Sequence, residues 1–464
     1  MSDDPNALLF AYIARYAAMR RAGDATRLHA PEATYAEQVE RFRIVLKDDG
    51  LPGEEVIREL IALAEPGLAA MTGPRFFGWV IGGSNPVGVA VDWLTAIWGQ
   101  NTANHFATPS ASAVEEACRL ALLELMGLPI EASVGFSTGA TMASFTCLAA
   151  ARGEVLRRAG WDIEAQGVFG APPVTVVLGE EAHSTIFAGL KYLGFGEQNI
   201  VRVAVDRNGA MIAGAYAETM ETLPGPVIAI AQAGHINSGA FDPFGEIARV
   251  AKAKNAWLHI DGAFGLWAMA TQTHRHLGAG LELADSWSVD GHKWLQTPYD
   301  SAYAIVKDRE AHRRAMQISA SYLPPSGDDV RTPSDYVPEL SRRARGFATW
   351  AMVRRLGRRG IAEMVTRHCA QARLFAQKLG EAPGVMVMND VVLNQVVVHF
   401  GSDAQTKAVV ARVQADGVCF VGGAEWRGKQ VMRISVINEN TTEADVEQSV
   451  ESMLAAWDAV RRAN

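Results

Sequence analysis

The chain has 464 residues, 49 % hydrophobic and 20 % charged, with a formal net charge of −8. This is the composition of a soluble globular enzyme of two or three domains, and the acidic balance excludes the basic face of a nucleic-acid binder. Cys118, Cys147, Cys369 and Cys419 form no C-x-x-C pair, which argues against a zinc site and a disulfide scaffold and for a reducing cytoplasm.

The N-terminal Met-Ser-Asp-Asp-Pro-Asn is acidic and lacks the basic and apolar regions of a signal peptide. Residues 1–75 read as a helical arm. Leu9, Ile13, Tyr16 and Ala17 share one helix face, and Pro31, Pro52 and Pro66 punctuate the segment. From residue 76, helical segments alternate with short apolar runs at 133–136, 173–179, 200–205, 226–232, 256–261, 285–289 and 302–306. That alternation predicts a mostly parallel sheet with helices on both faces, in a large domain over 76–345. The stretch 108–126 predicts a helix capped by Thr108 or Ser110, with Glu115 and Glu116 early in it. Apolar runs such as 225–234 are too short to cross a membrane and read as buried strands. Residues 320–341 hold several Pro, Gly and Asp residues and read as a long functional loop. Helices at 346–357 and 361–379 then precede strands at 385–389, 394–400, 417–421 and 430–437, and a final helix starts at Thr442. Residues 346–464 therefore read as a smaller α+β domain.

The chemistry is carried by His-Ile-Asp-Gly-Ala-Phe at 259–264 and Val-Asp-Gly-His-Lys-Trp at 289–294. Asp261 and Lys293 each follow a run that reads as a strand, which is how a parallel sheet delivers side chains to its carboxyl edge. An acid and an amine side by side on that edge are what pyridoxal phosphate requires. The amine forms a Schiff base with the aldehyde, and the carboxylate keeps the pyridine nitrogen protonated. Gly135-Phe136-Ser137-Thr138-Gly139-Ala140-Thr141 precedes a helix. Its small residues let backbone amides approach a phosphate, although such a run also serves as plain capping. His183 follows the run 173–179 and suits stacking on a planar ring and proton transfer, or a structural role.

These segments resemble the fold-type I, aspartate aminotransferase-like pyridoxal-phosphate enzymes, and within them the group II amino-acid decarboxylases. The resemblance covers roughly residues 70–450. It rests on Ser-Thr-Gly-Ala-Thr (137–141), Ala-His-Ser-Thr (182–185), Gly-Ala-Phe-Asp-Pro (239–243), the Asp261 and Lys293 motifs, and Ser-Arg-Arg-Ala-Arg-Gly (341–346). It implies a large domain built on a mostly parallel seven-stranded sheet, a smaller C-terminal domain, and a homodimer with the active site at the interface. It makes Lys293 the Schiff-base lysine, Asp261 the acid on the ring nitrogen, and His183 the imidazole stacked on the ring. Thr138, Gly139, Ala140 and Thr141 match the phosphate cradle, with His292, Asp290 and Ala263 beside the cofactor. Tyr322 looks like the mobile-loop tyrosine that returns a proton to the substrate carbon, alone or with His183.

The reaction so implied is α-decarboxylation of an L-amino acid, with an aromatic substrate favoured. Trp79, Trp98 and His105 suit a flat or apolar side chain, or else fill the core. Many relatives place threonines where this chain has Gly-His-Ile-Asn (234–237), so His235 and Asn237 are candidate contacts to the substrate carboxylate. Arg433 resembles a carboxylate-binding position of related aminotransferases. The rival readings are an oxygen-using aldehyde synthase, opposed by Tyr322, a carbon–carbon lyase of the same fold, and a non-catalytic binding protein, opposed by the intact Lys293, Asp261 and His183.

Overall fold

A computed structural model describes residues 5–44, 46, 48–318 and 330–463. The chain forms two compact units. One takes Met1–Gly83, Gln377–Val387 and Val398–Asn464, and the other Ser84–Ala376 and Met388–Val397.

The larger unit is built on seven strands: β1 (Ser133–Ser137), β2 (Thr175–Gly179), β3 (Ile200–Val203), β4 (Val227–Gln232), β5 (Trp257–Asp261), β6 (Ser286–Asp290) and β7 (Ala302–Val306). They lie in the order β1-β7-β6-β5-β4-β2-β3. β7 runs antiparallel to both of its neighbours, and the pairings from β6 to β3 are parallel. β1, β5, β6 and β7 are buried along their whole length. That follows from helices covering both faces, and it is why these strands read as continuous apolar runs. The helix Ala140–Arg158 packs Cys147, Leu148 and Val155 into a core with Val176, Ile228 and Trp257. The buried indoles keep a polar partner: Trp257 Nε1 donates to Ser286 Oγ at 2.8 Å and Trp287 Nε1 to Leu281 O at 2.8 Å.

The smaller unit joins the two ends of the chain, so the arm expected over 1–75 is not a separate body. The reason is backbone pairing. Phe77 N donates to Phe420 O at 2.8 Å, Phe420 N to Arg75 O at 3.0 Å, and Ser435 N to Phe77 O at 3.0 Å. The N-terminal helix Pro5–Ala22 half-buries Leu9, Ile13, Tyr16 and Ala17, the face expected from their spacing. The boundary expected at 346 also moves, because the helix Gly346–Gly380 starts in the larger unit, where Cys118 Sγ lies 3.5 Å from Gly346 O. The segment is broken at Gly357 (φ 60°), whose backbone is non-helical, so two helices lie on either side of a kink, as expected from 346–357 and 361–379. A second sheet has the order β10-β11-β9-β8, from β8 (Val385–Val387), β9 (Gln395–Phe400), β10 (Gly422–Trp426) and β11 (Lys429–Ser435). The strand expected at 417–421 lies instead at 422–426. Residues 333–336, inside the expected loop, form a short 3-10 turn.

Two histidines of the larger unit are wholly buried and neutral. His312 bonds Ser133 Oγ at 2.8 Å and Tyr336 O at 3.0 Å, and His259 bonds Ser286 Oγ at 3.0 Å. Burial pushes each down to about 3, against the opposing pull of these hydrogen bonds. Unfolded histidine takes a proton below about 6.5, and these folded ones do not. The stability they contribute is therefore complete above that value and is lost as pH falls toward 3. Each adds a slope approaching about 1.4 kcal/mol per pH unit. The urea midpoint is expected to drop between pH 7 and pH 5, and His312→Gln to flatten that drop. An unchanged slope in the variant would contradict this assignment.

Candidate active site

The site is built at the carboxyl edge of the parallel strands. β5 and β6 pair with His259 opposite Ser286 and Asp261 opposite Ser288, so Asp261 and Asp290 finish adjacent strands. Past Asp290 the chain turns at once: Gly291 N donates to Ser301 O at 2.9 Å and Gln296 N to Lys293 O at 3.2 Å. The turn sets Lys293 at the strand end. Its Nζ lies 2.9 Å from Asp290 Oδ2 and 5.8 Å from the centre of the Phe264 ring.

Asp261 is 5 % exposed, and its Oδ1 accepts from Ala263 N at 3.2 Å. Burial pushes its carboxyl above the ordinary range, opposed by the electrostatic influence of the neighbouring His183 and Lys293. His183 caps the helix Ser184–Tyr192. Thr185 N donates to its Nδ1 at 3.3 Å, and Thr185 Oγ1 lies 2.7 Å from the same atom. That assigns Nδ1 as the acceptor and leaves Nε2 to carry the proton. His292 packs against Tyr299 with the rings tilted by 31° and their centres 4.3 Å apart, and burial pushes its imidazole below the ordinary range.

Gly139, Ala140, Thr141, His183, Asp261, Ala263, Asp290, His292 and Lys293 all line one cavity of about 250 Å³. The structure thus brings together most of the residues singled out in the sequence. Thr138 is half-buried next to that lining and is not part of it. His105 is also outside it, with its Nδ1 3.2 Å from Thr332 Oγ1. His235 is turned away. Its Nδ1 accepts from the amides of Asn237 and Ser238, each at 3.3 Å, and its Nε2 lies 3.1 Å from Glu181. Its ring is occupied in holding this turn, and Ile236 faces the cavity where His235 and Asn237 were expected. Trp79 and Arg433 belong to the smaller unit, where Trp79 is 55 % exposed. Trp98 is half-exposed and packs edge-on against Phe347. Tyr322 lies outside the described residues.

Sequence reading missed Thr185, Gln232, Gly234, Ile236 and Phe264, which complete the lining. Gln232 had a usable signal, since it is the last residue of a strand and pairs with Asp261. Gly234 has φ +92°, and a Cβ there would sit 3.0 Å from Gly265 Cα and 3.0 Å from Phe264 Cζ. Both the backbone conformation and the space require glycine.

Residues 38–400 match the profile of the pyridoxal-dependent decarboxylase conserved domain. The chain belongs to this family. An aromatic-L-amino-acid decarboxylase of Bacillus atrophaeus is 26 % identical over 403 residues, covering 83 % of this chain and 82 % of that one. An L-2,4-diaminobutyrate decarboxylase of Rhizobium meliloti is 27 % identical, covering 76 % and 72 %. A crystal structure of Oryza sativa TDC with PLP and tryptamine shares the fold with a TM-score of 0.91 at 21 % identity, covering 99 % of both chains. The sheet is therefore that of the fold-type I enzymes, and the protein is a pyridoxal-phosphate-dependent amino-acid decarboxylase.

The residues fit this cofactor. The helix Ala140–Arg158 begins at Gly139 on the cavity lining, where a helix N-terminus favours an anion, and its first amide already donates to Asp290 Oδ1 at 2.7 Å. At another point of the lining, the Asp261 carboxyl is buried and destabilised as an anion, so a cationic N–H suits it. Lys293 supplies an amine to the same space. No helix among the described residues is long and apolar enough to cross a membrane.

Proposed function

We propose that this family member removes the α-carboxylate of an aromatic L-amino acid, releasing CO₂ and the matching amine, with Lys293 as the residue joined to the cofactor. The observation that carries this reading is the single cavity shared by Lys293, Asp261, His183 and the N-terminus of the helix Ala140–Arg158. Bound there, pyridoxal phosphate supplies an aldehyde for an amine and a protonated ring that accepts the electron pair of the breaking Cα–carboxylate bond. Asp261 keeps a proton on the ring nitrogen. Thr138, Gly139, Ala140 and Thr141 hold the phosphate, with His292 and Asp290 beside it, and Ala263 sets the Asp261 carboxylate. His183, on the same lining, would hold the ring.

Once CO₂ has left, Cα must gain a proton before water or oxygen intervenes. Tyr322 donates that proton, with His183 Nε2 as its partner. Phe264 and Ile236 give the cavity an apolar wall, which supports a flat side chain. Of the substrate-side residues suggested by the sequence, Trp79, His105, His235 and Asn237, none lines this cavity. Among them His235 acts by fixing the loop that presents Ile236.

The protein works as a homodimer in the cytoplasm, with the active site at the interface. In support, the helix Pro86–Trp98 exposes Leu94 (42 %), Ile97 (61 %) and Trp98 (47 %), an apolar face that needs cover. The four cysteines are buried and free, which suits a reducing compartment.

The deciding experiment is product analysis. Protein loaded with pyridoxal phosphate is incubated with the standard amino acids, DOPA and 5-hydroxytryptophan, following CO₂, amine, aldehyde and peroxide. Equal amounts of CO₂ and amine from an aromatic substrate are expected. Aldehyde with peroxide would move the reaction to the oxidative class, and turnover confined to acidic or diamino substrates would overturn the aromatic assignment.

A further inference from the structure

Asp290 lines the cavity, as expected, at the N-terminus of the helix Ala140–Arg158. It is 2 % exposed, and its Oδ1 accepts from Ala140 N at 2.7 Å, the first amide of the helix Ala140–Arg158. Its Oδ2 lies 2.9 Å from Lys293 Nζ, and Oδ1 lies 3.6 Å from His292 Nε2. The donors that make this end of the cavity attractive to a phosphate are thus already arranged around a carboxylate. A helix N-terminus stabilises one negative charge readily, and a second anion beside it is repelled. The backbone carbonyl of Asp290 accepts from Trp267 Nε1 at 2.9 Å, and its amide donates to Ala263 O at 2.9 Å, so its backbone is held at the end of the strand.

We propose that Asp290 is a fixed internal anion at the phosphate end of the cofactor site, and that it sets how tightly this enzyme holds pyridoxal phosphate. The phosphate binds against that charge, with the His292 imidazole, whose Nε2 lies 3.6 Å from Asp290 Oδ1, as the polar group beside both. Asp290 is a positioning residue in this role: it orients Lys293 and the helix end, and it weakens phosphate binding while doing so. The inference rests on the phosphate lying at the Ala140 end, as proposed above.

Asp290→Asn tests it. The amide keeps an acceptor for Ala140 N and has the same shape, so the fold is retained, and only the charge is lost. Dissociation constants are measured by fluorescence quenching for pyridoxal phosphate, for pyridoxine phosphate (which lacks the aldehyde) and for pyridoxal (which lacks the phosphate). Both phosphate forms are expected to bind the variant roughly tenfold or more tightly than wild type, and pyridoxal within about twofold, because the relieved repulsion is a close charge–charge term. In His292→Gln the phosphate forms are expected to bind about tenfold more weakly, with Asp290→Asn restoring most of that loss. Unchanged or weaker binding of the phosphate forms to Asp290→Asn overturns the inference. An equal gain for pyridoxal also overturns it, by placing the effect on Lys293 or the ring. If wild type instead binds pyridoxal as tightly as pyridoxal phosphate, the phosphate placement itself fails, which is a separate outcome.

Discussion

Replacing Lys293 with alanine is expected to lower CO₂ release by roughly 10³-fold or more, the loss that follows from its proposed role as covalent partner of the cofactor and carrier of a proton. Among the residues that line the cavity, Lys293 is the one that carries an amine. It is presented by a turn fixed through Ser301 and Gln296, and its side chain is 16 % exposed. The variant should lose the visible absorbance of the wild-type holoenzyme. Borohydride, which fixes a Lys-bound cofactor onto its peptide, should leave no label on the peptide that spans position 293. Far-ultraviolet circular dichroism should be unchanged, because the truncation removes one partly exposed side chain from the end of the sheet. Retention of more than a few per cent of the activity, or label on another lysine, would sink the assignment.

Replacing Glu115 with alanine is expected to destabilise the larger unit by about 3–5 kcal/mol, the usual consequence of stripping one partner from a buried ion pair. Glu115 is fully buried. Its Oε1 lies 2.7 Å from Arg342 Nη1 and its Oε2 3.1 Å from Arg331 Nη2, and both arginines have side chains that are 7 % exposed or less. Arg331 also reaches Val134 O on β1. Removing the carboxylate leaves two guanidinium groups buried beside each other with their common countercharge gone. Glu115→Gln keeps an acceptor and should cost less, about 1–3 kcal/mol. Urea unfolding followed by tryptophan fluorescence measures both. A loss under about 1 kcal/mol for the alanine variant would show that water or a rearranged carboxylate compensates the pair.

Glu115 also shows where sequence reading stopped. Its position early in a helix was visible, and the natural inference was favourable interaction with the helix dipole. The ion pair with two arginines more than 200 positions away was not, because nothing local marks a long-range partner. Strands were legible for the opposite reason: buried parallel strands are short, apolar and closed by glycine or polar residues, and the runs found at 133–136, 256–261 and 285–289 lie within a residue of β1, β5 and β6. Their spatial order was not legible. β7 sits between β1 and β6 and runs against both, a choice made by packing that leaves no trace in periodicity. Lys293, Asp261 and the run at 139–141 were legible because strand ends and helix starts announce themselves. His235 was misplaced because residue type alone does not tell which way a side chain leaves a tight turn. The smaller unit was misjudged because Phe77, Phe420 and Ser435 pair across most of the chain's length.

The pairing of Asp261 with Ser288 has a consequence for how this enzyme can diverge. The separation between Asp261 and the strand end that presents Lys293 is written in the hydrogen-bond ladder of β5 and β6. Insertions between 262 and 285 leave that ladder intact, whereas one residue gained or lost within either strand turns its functional end to the opposite face. Substitution can therefore erode most of the chain, as the relatives at 26–27 % identity illustrate, and length changes are expected to be tolerated in the connections rather than in these strands.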